Sequence, residues 1–253
     1  MKPGAIAVEE SGGALWVSLQ RPPLNVLDVP TMRELHDALL LLPSRRDLKV
    51  LVLRSGVEGT FSAGVDIRDH TRDRVVPMLD AFHRIFRFLD SLPQATIAAV
   101  DGRCLGGGCE LAAFCDVVLA TPRSAFGQPE IDLGCFPPVG TAWLPRVMGR
   151  AAFEFLLSGA PVSAAEAARM GLVTRVVNDL DVEARAVVNR LAGKSGAVLG
   201  LARKALRQGA QGTFSDALTR MEEIYRKDLL PTHDVEEGVR AFLEKRKPRW
   251  TDR

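Results

Sequence analysis

The sequence lacks the features that mark membrane proteins, secreted proteins and most nucleic-acid-binding proteins. No stretch approaches the ~20 consecutive apolar residues that a membrane-spanning helix needs, and residues 1–10 hold no apolar run long enough for a signal peptide. The net charge of +2 is small, and the charges are interspersed rather than gathered in one basic tract. These absences predict a cytoplasmic protein with neither a membrane nor a nucleic acid among its partners.

Cysteine and histidine are scarce, and their spacing does not indicate a metal site. The four cysteines follow no zinc-binding pattern, and a chain of 253 residues does not need disulfides to be stable. We therefore expect reduced, buried thiols and no bound metal. Of the four histidines, only His70, which follows a loop at 61–67, is a candidate for function.

The patterns that are present predict an α/β core followed by a mostly helical part. The composition, 47% hydrophobic and 25% charged, is that of an ordinary globular domain. Apolar alternation predicts a hairpin at 6–19, short apolar runs predict strands at 49–54, 96–100 and 117–120, and helical spacing covers 75–89. After about residue 138 the pattern is almost entirely helical.

Two glutamates twenty positions apart, Glu110 and Glu130, are the strongest candidates for chemistry. A pair of carboxylates can hold one water molecule and move its protons, with one member acting as base and the other as acid. Taken singly, Glu110 is better explained as a favourable charge in a first helical turn, and Glu130 as a solvated loop residue. The pair therefore becomes meaningful only if the fold brings the two side chains together.

Two loops that follow predicted strands could bind a negative charge. The glycines at 106–108 precede a helix, and amides at a helix N-terminus favour anions, so this run is either an oxyanion or phosphate site or a tight turn. It matches neither common nucleotide-binding glycine pattern. The loop at 61–67 could supply a second amide, although by itself it is an ordinary surface turn.

Several motifs together resemble the crotonase superfamily, the enoyl-CoA hydratase/isomerase family. The segments 98–112 and 126–134 resemble its two central motifs, and 61–67 resembles its CoA-binding loop. Segments 21–25, 161–173 and 241–246 match further motifs in the usual order. The resemblance implies an α/β fold, a crotonase-like spiral of ββα units in residues 1–190, with a helical C-terminal oligomerisation region in 191–253.

The resemblance also implies roles for particular residues. The amides of Ala63 and Gly107 would bind the thioester oxygen, and Glu110 and Glu130 would hold the water. No cofactor is implied beyond the coenzyme A of an acyl-CoA thioester substrate, and the expected assembly is a homotrimer or homohexamer. The residues expected to contact CoA or the acyl group are Pro23, Leu24, Asp66, Ile67, Gly106, Pro129, Pro138, Phe242 and Lys245.

One segment departs from the simple enoyl-CoA hydratases. Residues 135–143 replace a glycine-rich run, with Pro138 where a glycine amide would help to hold the water, and Trp143 where a smaller polar residue is usual. Together with His70, His233 and Trp250, this segment resembles the cyclohexa-1,5-diene-1-carbonyl-CoA hydratases. The sequence thus predicts a hydro-lyase that hydrates a conjugated enoyl- or dienoyl-CoA. The alternatives are a general short-chain hydratase, an isomerase, or a catalytically silent homologue that binds CoA esters or RNA.

Overall fold

The structure is a computed structural model that describes residues 4–209 and 212–253. Within them the strands are β1 (Ile6–Ser11), β2 (Ala14–Leu19), β3 (Val50–Ser55), β4 (Thr60–Ser62), β5 (Ala95–Val100), β6 (Arg103–Leu105), β7 (Val117–Ala120), β8 (Ala125–Gly127), β9 (Val162–Ser163) and β10 (Arg175–Val176). The helices are α1 (Val29–Leu39), α2 (Val75–Ser91), α3 (Gly107–Ala113), α4 (Pro138–Met148), α5 (Ala151–Ser158), α6 (Ala164–Arg169), α7 (Leu180–Ala192), α8 (Gly196–Gly209), α9 (Phe214–Glu223) and α10 (His233–Leu243).

The strands form two sheets, and the chain alternates between them. The larger sheet has the order β1-β2-β3-β5-β7-β10, and all its pairings are parallel except the β1–β2 hairpin. The smaller sheet has the order β4-β6-β8-β9, with parallel pairing of β4, β6 and β8. Each of β3, β5 and β7 is followed directly by a strand of the smaller sheet, which gives the ββ part of a repeated ββα unit.

The hydrophobic core lies on both faces of the larger sheet. One face packs with the smaller sheet and with α1, α2 and α3, and its largest buried side chains include Phe61 and Phe126. The opposite face is covered by α7, whose Val187 and Val188 pack with Trp16. Because the central strands are buried on both faces, they read as continuous apolar runs rather than as alternating patterns.

Helix α8 is tied to the core by ion pairs. Its Arg203 and Arg207 both reach Asp116, at 2.7 and 2.9 Å, and Arg203 also donates to the carbonyl of Leu92 after α2. The chain end returns to this region, where the indole of Trp250 donates to the carbonyl of Gly193. The C-terminal helices are therefore anchored by polar contacts as well as by packing.

The predicted fold class is confirmed, and the long elements lie where the sequence predicts them. Asp28 caps α1, with the Thr31 amide donating to its side chain, and Pro30 lies in the first turn of the helix, where proline is tolerated. The short strands β4, β6, β8, β9 and β10 were not predicted. Residue 190, the predicted end of the core, lies within α7, and the division there stays a prediction. No helix among the described residues is both long enough and apolar enough to cross a membrane.

Candidate active site

Three loops meet at one edge of the smaller sheet and carry the candidate residues. Strand β4 leads to residues 63–67, β6 leads to the glycines at 106–108, and β8 leads to residues 128–133. Because β4, β6 and β8 are neighbouring parallel strands, their carboxyl ends lie at the same edge. This topology brings together segments that are up to about seventy positions apart in the sequence.

Glu110 lies in the first turn of α3 and is only 3% exposed. Its Oε1 accepts a 2.6 Å hydrogen bond from the amide of Gly140, in the first turn of α4. Burial raises the pKa of Glu110 to about 8, the Gly140 amide opposes that shift, and the nearby charge of Glu130 adds to it. The carboxyl group therefore holds a proton near neutral pH in the free protein.

Glu130 lies in a helical turn, Pro129–Leu133, that follows β8. Its carboxylate packs on the backbone of Gly106, since a Cβ added to that glycine would lie 2.6 Å from Glu130 Oε1. Its Oε2 is buried and has no hydrogen-bond partner among the described residues, and burial raises the pKa of this carboxyl. A buried oxygen without a protein partner is suited to bind a water molecule or a substrate atom.

Two free amides, from Val65 and Gly107, lie beside the glutamates. A Cβ built on Gly64 would lie 3.3 Å from Gly107 N, and one built on Gly107 would lie 2.7 Å from a methyl group of Val65, so the two loops are in contact. Within residues 4–209 and 212–253, neither the Val65 nor the Gly107 amide donates to another protein group. This arrangement suits an oxygen that develops negative charge.

The amide of Ala63, which the family resemblance implies as an oxyanion donor on the 61–67 loop, is not available. Ala63 N donates a 2.9 Å hydrogen bond to the carbonyl of Leu24, which holds the 61–67 loop against residues 21–25. We therefore correct the candidate pair of donors from Ala63 and Gly107 to Val65 and Gly107. The sequence could not show this, because consecutive amides of an extended segment point in opposite directions and the register was unknown.

Pro138 occupies the first turn of α4, where the missing N–H costs the helix nothing. The two residues after it continue the turn, and Gly140 supplies the amide that reaches Glu110. The departure noted in the sequence thus does not leave Glu110 without a backbone donor. The useful signal was the pattern Pro-Pro-x-Gly at a predicted helix start, since free amides at such a start favour a carboxylate.

The sequence model of the enoyl-CoA hydratase/isomerase family matches residues 9–253. The chain belongs to the enoyl-CoA hydratase/isomerase family. It is 35% identical over 256 residues to a cyclohexa-1,5-dienecarbonyl-CoA hydratase of Thauera aromatica, covering 99% of this chain and 98% of the relative. It is 36% identical over 254 residues to a probable enoyl-CoA hydratase of Mycobacterium bovis, covering 98% of each.

A solved enoyl-CoA hydratase from Bacillus anthracis has the same fold. It superposes with a TM-score of 0.93 at 29% identity, covering 98% of this chain and all of that chain. The family match and these relatives confirm the predictions of a crotonase-like fold and of an enzyme of the enoyl-CoA hydratase type.

Other residues predicted to contact CoA lie in the 61–67 and 21–25 loops. Asp66 is 6% exposed and pairs with Arg68, whose guanidinium lowers the pKa of Asp66 to about 2. Its carboxylate is therefore committed within the loop and orders it. Ile67 is 60% exposed, Pro23 is exposed and Leu24 is partly exposed, so these three side chains are accessible to a ligand.

Phe242 and Lys245 lie at the end of α10. Phe242 is 83% exposed, and Lys245 adopts a positive φ of 55° just after the helix. Among the described residues neither forms a hydrogen bond or ion pair with the 21–25 or 61–67 loops. Their expected contact with CoA stays a prediction that depends on assembly.

His70 lies at the end of a short helical turn, with Nδ1 3.1 Å from the carbonyl oxygen of Asp66. That contact places His70 against the 61–67 loop, where it helps to fix the loop's shape. In the part of the chain that the structure describes, no group of three or more His, Cys, Asp or Glu side chains is arranged to hold a metal ion.

Proposed function

We propose that the protein adds water to the conjugated double bond of an enoyl- or dienoyl-CoA thioester. The observation that carries the proposal is the convergence of two carboxyl groups with raised pKa and two free amides at one sheet edge. The amides of Val65 and Gly107 would bind the thioester oxygen and stabilise the enolate that forms when water adds. One such donor can contribute ~3 kcal/mol to a transition state.

The glutamate pair is suited to share one proton. Hydration needs a base that takes a proton from water and an acid that gives a proton to the substrate carbon. Because burial raises the pKa of both carboxyls and each charge disfavours the other, the pair keeps at least one proton near neutral pH. A pair with two ionised members could supply the base but not the acid.

We assign the activation of the water to Glu110 and the transfer of a proton to the substrate carbon to Glu130. In the free protein the larger shift belongs to Glu110, which favours the proton on that residue, so the assignment requires the proton to pass to Glu130 when substrate binds. Coupled carboxyls exchange one proton readily and titrate as a unit. Exchange of the α-proton of butyryl-CoA in heavy water separates the two roles, because Glu110→Gln should retain exchange and Glu130→Gln should lose it.

The acyl group is the finer part of the proposal, and we favour a cyclic dienoyl-CoA. The two relatives do not decide between cyclic and linear substrates, since their identities of 35% and 36% are nearly equal. The aromatic side chains near Glu110, with Trp143 and Phe114 at a 4.8 Å centroid distance, favour a planar ring. A linear short-chain enoyl-CoA is the alternative.

The deciding experiment compares crotonyl-CoA with cyclohexa-1,5-diene-1-carbonyl-CoA, following loss of absorbance in water enriched with heavy oxygen. A hydratase must place the label in its product, whereas an isomerase changes absorbance without label. The cyclic proposal expects the larger kcat/KM on the dienoyl thioester. Equal or greater kcat/KM on crotonyl-CoA contradicts that choice, and absence of label from both products contradicts hydration itself.

We also propose that CoA docks through the 21–25 and 61–67 loops, and that the protein needs no cofactor besides the coenzyme A of its substrate. A homotrimer or homohexamer would bring the exposed Phe242 and Lys245 of one copy to the CoA of another. This part is tested by sedimentation of the intact protein and by a KM measurement on Lys245→Ala. A monomer with full activity contradicts it.

A further inference from the structure

A cavity lies at the start of α4, beside the segment whose amide binds Glu110. It has a volume of about 340 Å³ and lies between α2 and α4, with Phe86, Phe114, Pro138, Val139 and Trp143 among its lining residues. Pro138 and Val139 directly precede Gly140, whose amide holds the Glu110 carboxylate. The cavity is therefore separated from the Glu110 carboxyl by the first turn of α4.

Aromatic rings connect the cavity to the free amide of Gly107. A Cβ on Gly107 would lie 2.8 Å from Phe82, so the ring packs directly on that glycine. From there Phe82 meets Phe86 at 4.9 Å, Phe86 meets Phe114 at 5.3 Å and Phe114 meets Trp143 at 4.8 Å between ring centroids. The series gives a continuous apolar wall from the proposed thioester position to Trp143.

Trp143 is held rigidly at the far end of that wall. Its Nε1–H donates a 2.8 Å hydrogen bond to the carbonyl of Ala113, and the guanidinium of Arg207 lies 4.7 Å from its ring. Arg207 is itself fixed by a 2.9 Å ion pair with Asp116. A side chain with a hydrogen bond, a stacked ring and a cation on it does not move aside easily.

A second cavity begins on the other side of Trp143. It has a volume of about 530 Å³, lies between the end of α2, α4 and α8, and shares the lining residues Asp90, Trp143 and Arg146 with the first. Gly200 and Leu201 of α8 form part of its far wall. The indole thus stands between the smaller cavity at the start of α4 and the larger cavity under α8.

We propose that Trp143 is the residue that limits acyl size, closing an acyl pocket that accepts short or ring-sized groups. The inference rests on the proposed function, since it takes the acyl group to extend from the thioester towards α4. Replacing the indole by a small side chain joins the two cavities and lets a longer chain continue under α8. Each methylene group buried there should then strengthen binding about fourfold.

The test measures binding of acyl-CoAs that have no double bond for the enzyme to hydrate, so it needs no turnover. Isothermal titration of benzoyl-, butyryl-, octanoyl- and dodecanoyl-CoA is compared between the parent, Trp143→Ala and Trp143→Leu. We expect the parent to gain little affinity beyond ring-sized groups, and Trp143→Ala to raise the dodecanoyl-to-butyryl affinity ratio by at least about tenfold. Phe153→Leu, an exposed aromatic on α5, is the matched control and should keep the parent's ratio.

The outcomes separate this inference from the hydratase proposal. An unchanged ratio in both folded Trp143 variants overturns it, and so does a parent whose affinity already rises steadily to dodecanoyl-CoA, even if Trp143→Ala fails to fold. A parent that binds no acyl-CoA overturns both proposals. A parent with the expected binding profile that hydrates no enoyl-CoA contradicts the proposed function and leaves the role of Trp143 supported.

Discussion

Two carboxylates at opposite ends of helix α3 face opposite electrostatic conditions. Glu110, in the first turn, is 3% exposed and meets a backbone amide and the like charge of Glu130, and its pKa is raised to about 8. Asp116, three positions beyond the helix, meets Arg203 and Arg207. Burial would raise its pKa too, but the two guanidiniums reverse the effect and lower it.

The difference indicates what each carboxylate does. Asp116 stays charged at all ordinary pH values, and it joins Thr96 of β5 to two arginines of α8, so it holds the C-terminal helices on the core. Among the described residues Glu110 has no cationic partner, and in the proposed function this keeps its proton available for transfer at neutral pH. Stability is gained at Asp116 and given up at Glu110, which agrees with the proposed role of Glu110 in proton transfer.

The largest effect is expected from substitutions that take away the proposed proton transfer by Glu110 and Glu130. Glu110→Gln and Glu130→Gln keep the shape of each side chain but cannot exchange a proton, so each should lower kcat/KM for hydration by about 10²–10⁴-fold. The double variant should lose little more, because the two groups act as a unit. Absorbance assays of enoyl-CoA hydration measure both, with the exposed Glu154→Gln as control. A parent-like rate in either single variant contradicts the assignment.

The next largest effect is a loss of stability expected from a substitution at Asp116, which lies just beyond the C-terminal end of α3. Asp116→Asn leaves the guanidiniums of Arg203 and Arg207, whose side chains are only 7% and 10% exposed, without their counter-charge. We expect a loss of about 2–3 kcal/mol in the free energy of unfolding, below the value for a fully buried pair because Asp116 is 25% exposed. Urea unfolding measures the loss. A change within the experimental error would show that Asp116 does not anchor α8.

Glu110 and Asp116 also predict opposite responses of stability to pH, because the pKa of Glu110 is raised in the folded protein and that of Asp116 is lowered. The effect of Glu110 falls nearer neutral pH and is the one to measure. Between about pH 4.5 and 8, the unfolded chain has lost the Glu110 proton and the folded chain retains it, so unfolding releases a proton and stability falls as pH rises. Glu110→Gln keeps the acceptor for Gly140 but removes this term. The variant should therefore gain about 1–2 kcal/mol relative to the parent between pH 6 and pH 8. Equal pH slopes in parent and variant would mean that Glu110 ionises normally.

The sequence predicted the glutamates and the long elements but not the geometry that unites them. Helix α2 is long enough for its apolar periodicity to be read directly, and strand β5 for its continuous apolar run. Strands β4, β6 and β8 have three residues each, too few to show any period, yet their parallel pairing is what brings the three site loops to one edge. Which amide on the 61–67 loop is free depends on that pairing, so the choice between Ala63 and Val65 required the structure.

The smallest expected effect concerns a surface ion pair, in contrast to the mostly buried Asp116–Arg203 pair. Glu223 and Lys227 are four positions apart at 2.9 Å, with side chains 56% and 70% exposed. Water screens both charges whether or not they pair, so Glu223→Gln should lower Tm by less than about 2 °C, against roughly 5–10 °C for Asp116→Asn. Salt at 1 M should remove even this small effect, because the Debye length then falls to about 3 Å. Thermal melts of both variants at low and high salt measure the contrast. If Glu223→Gln lowers Tm as much as Asp116→Asn does, burial of the guanidiniums does not explain the strength of the ion pairs of Asp116 with Arg203 and Arg207.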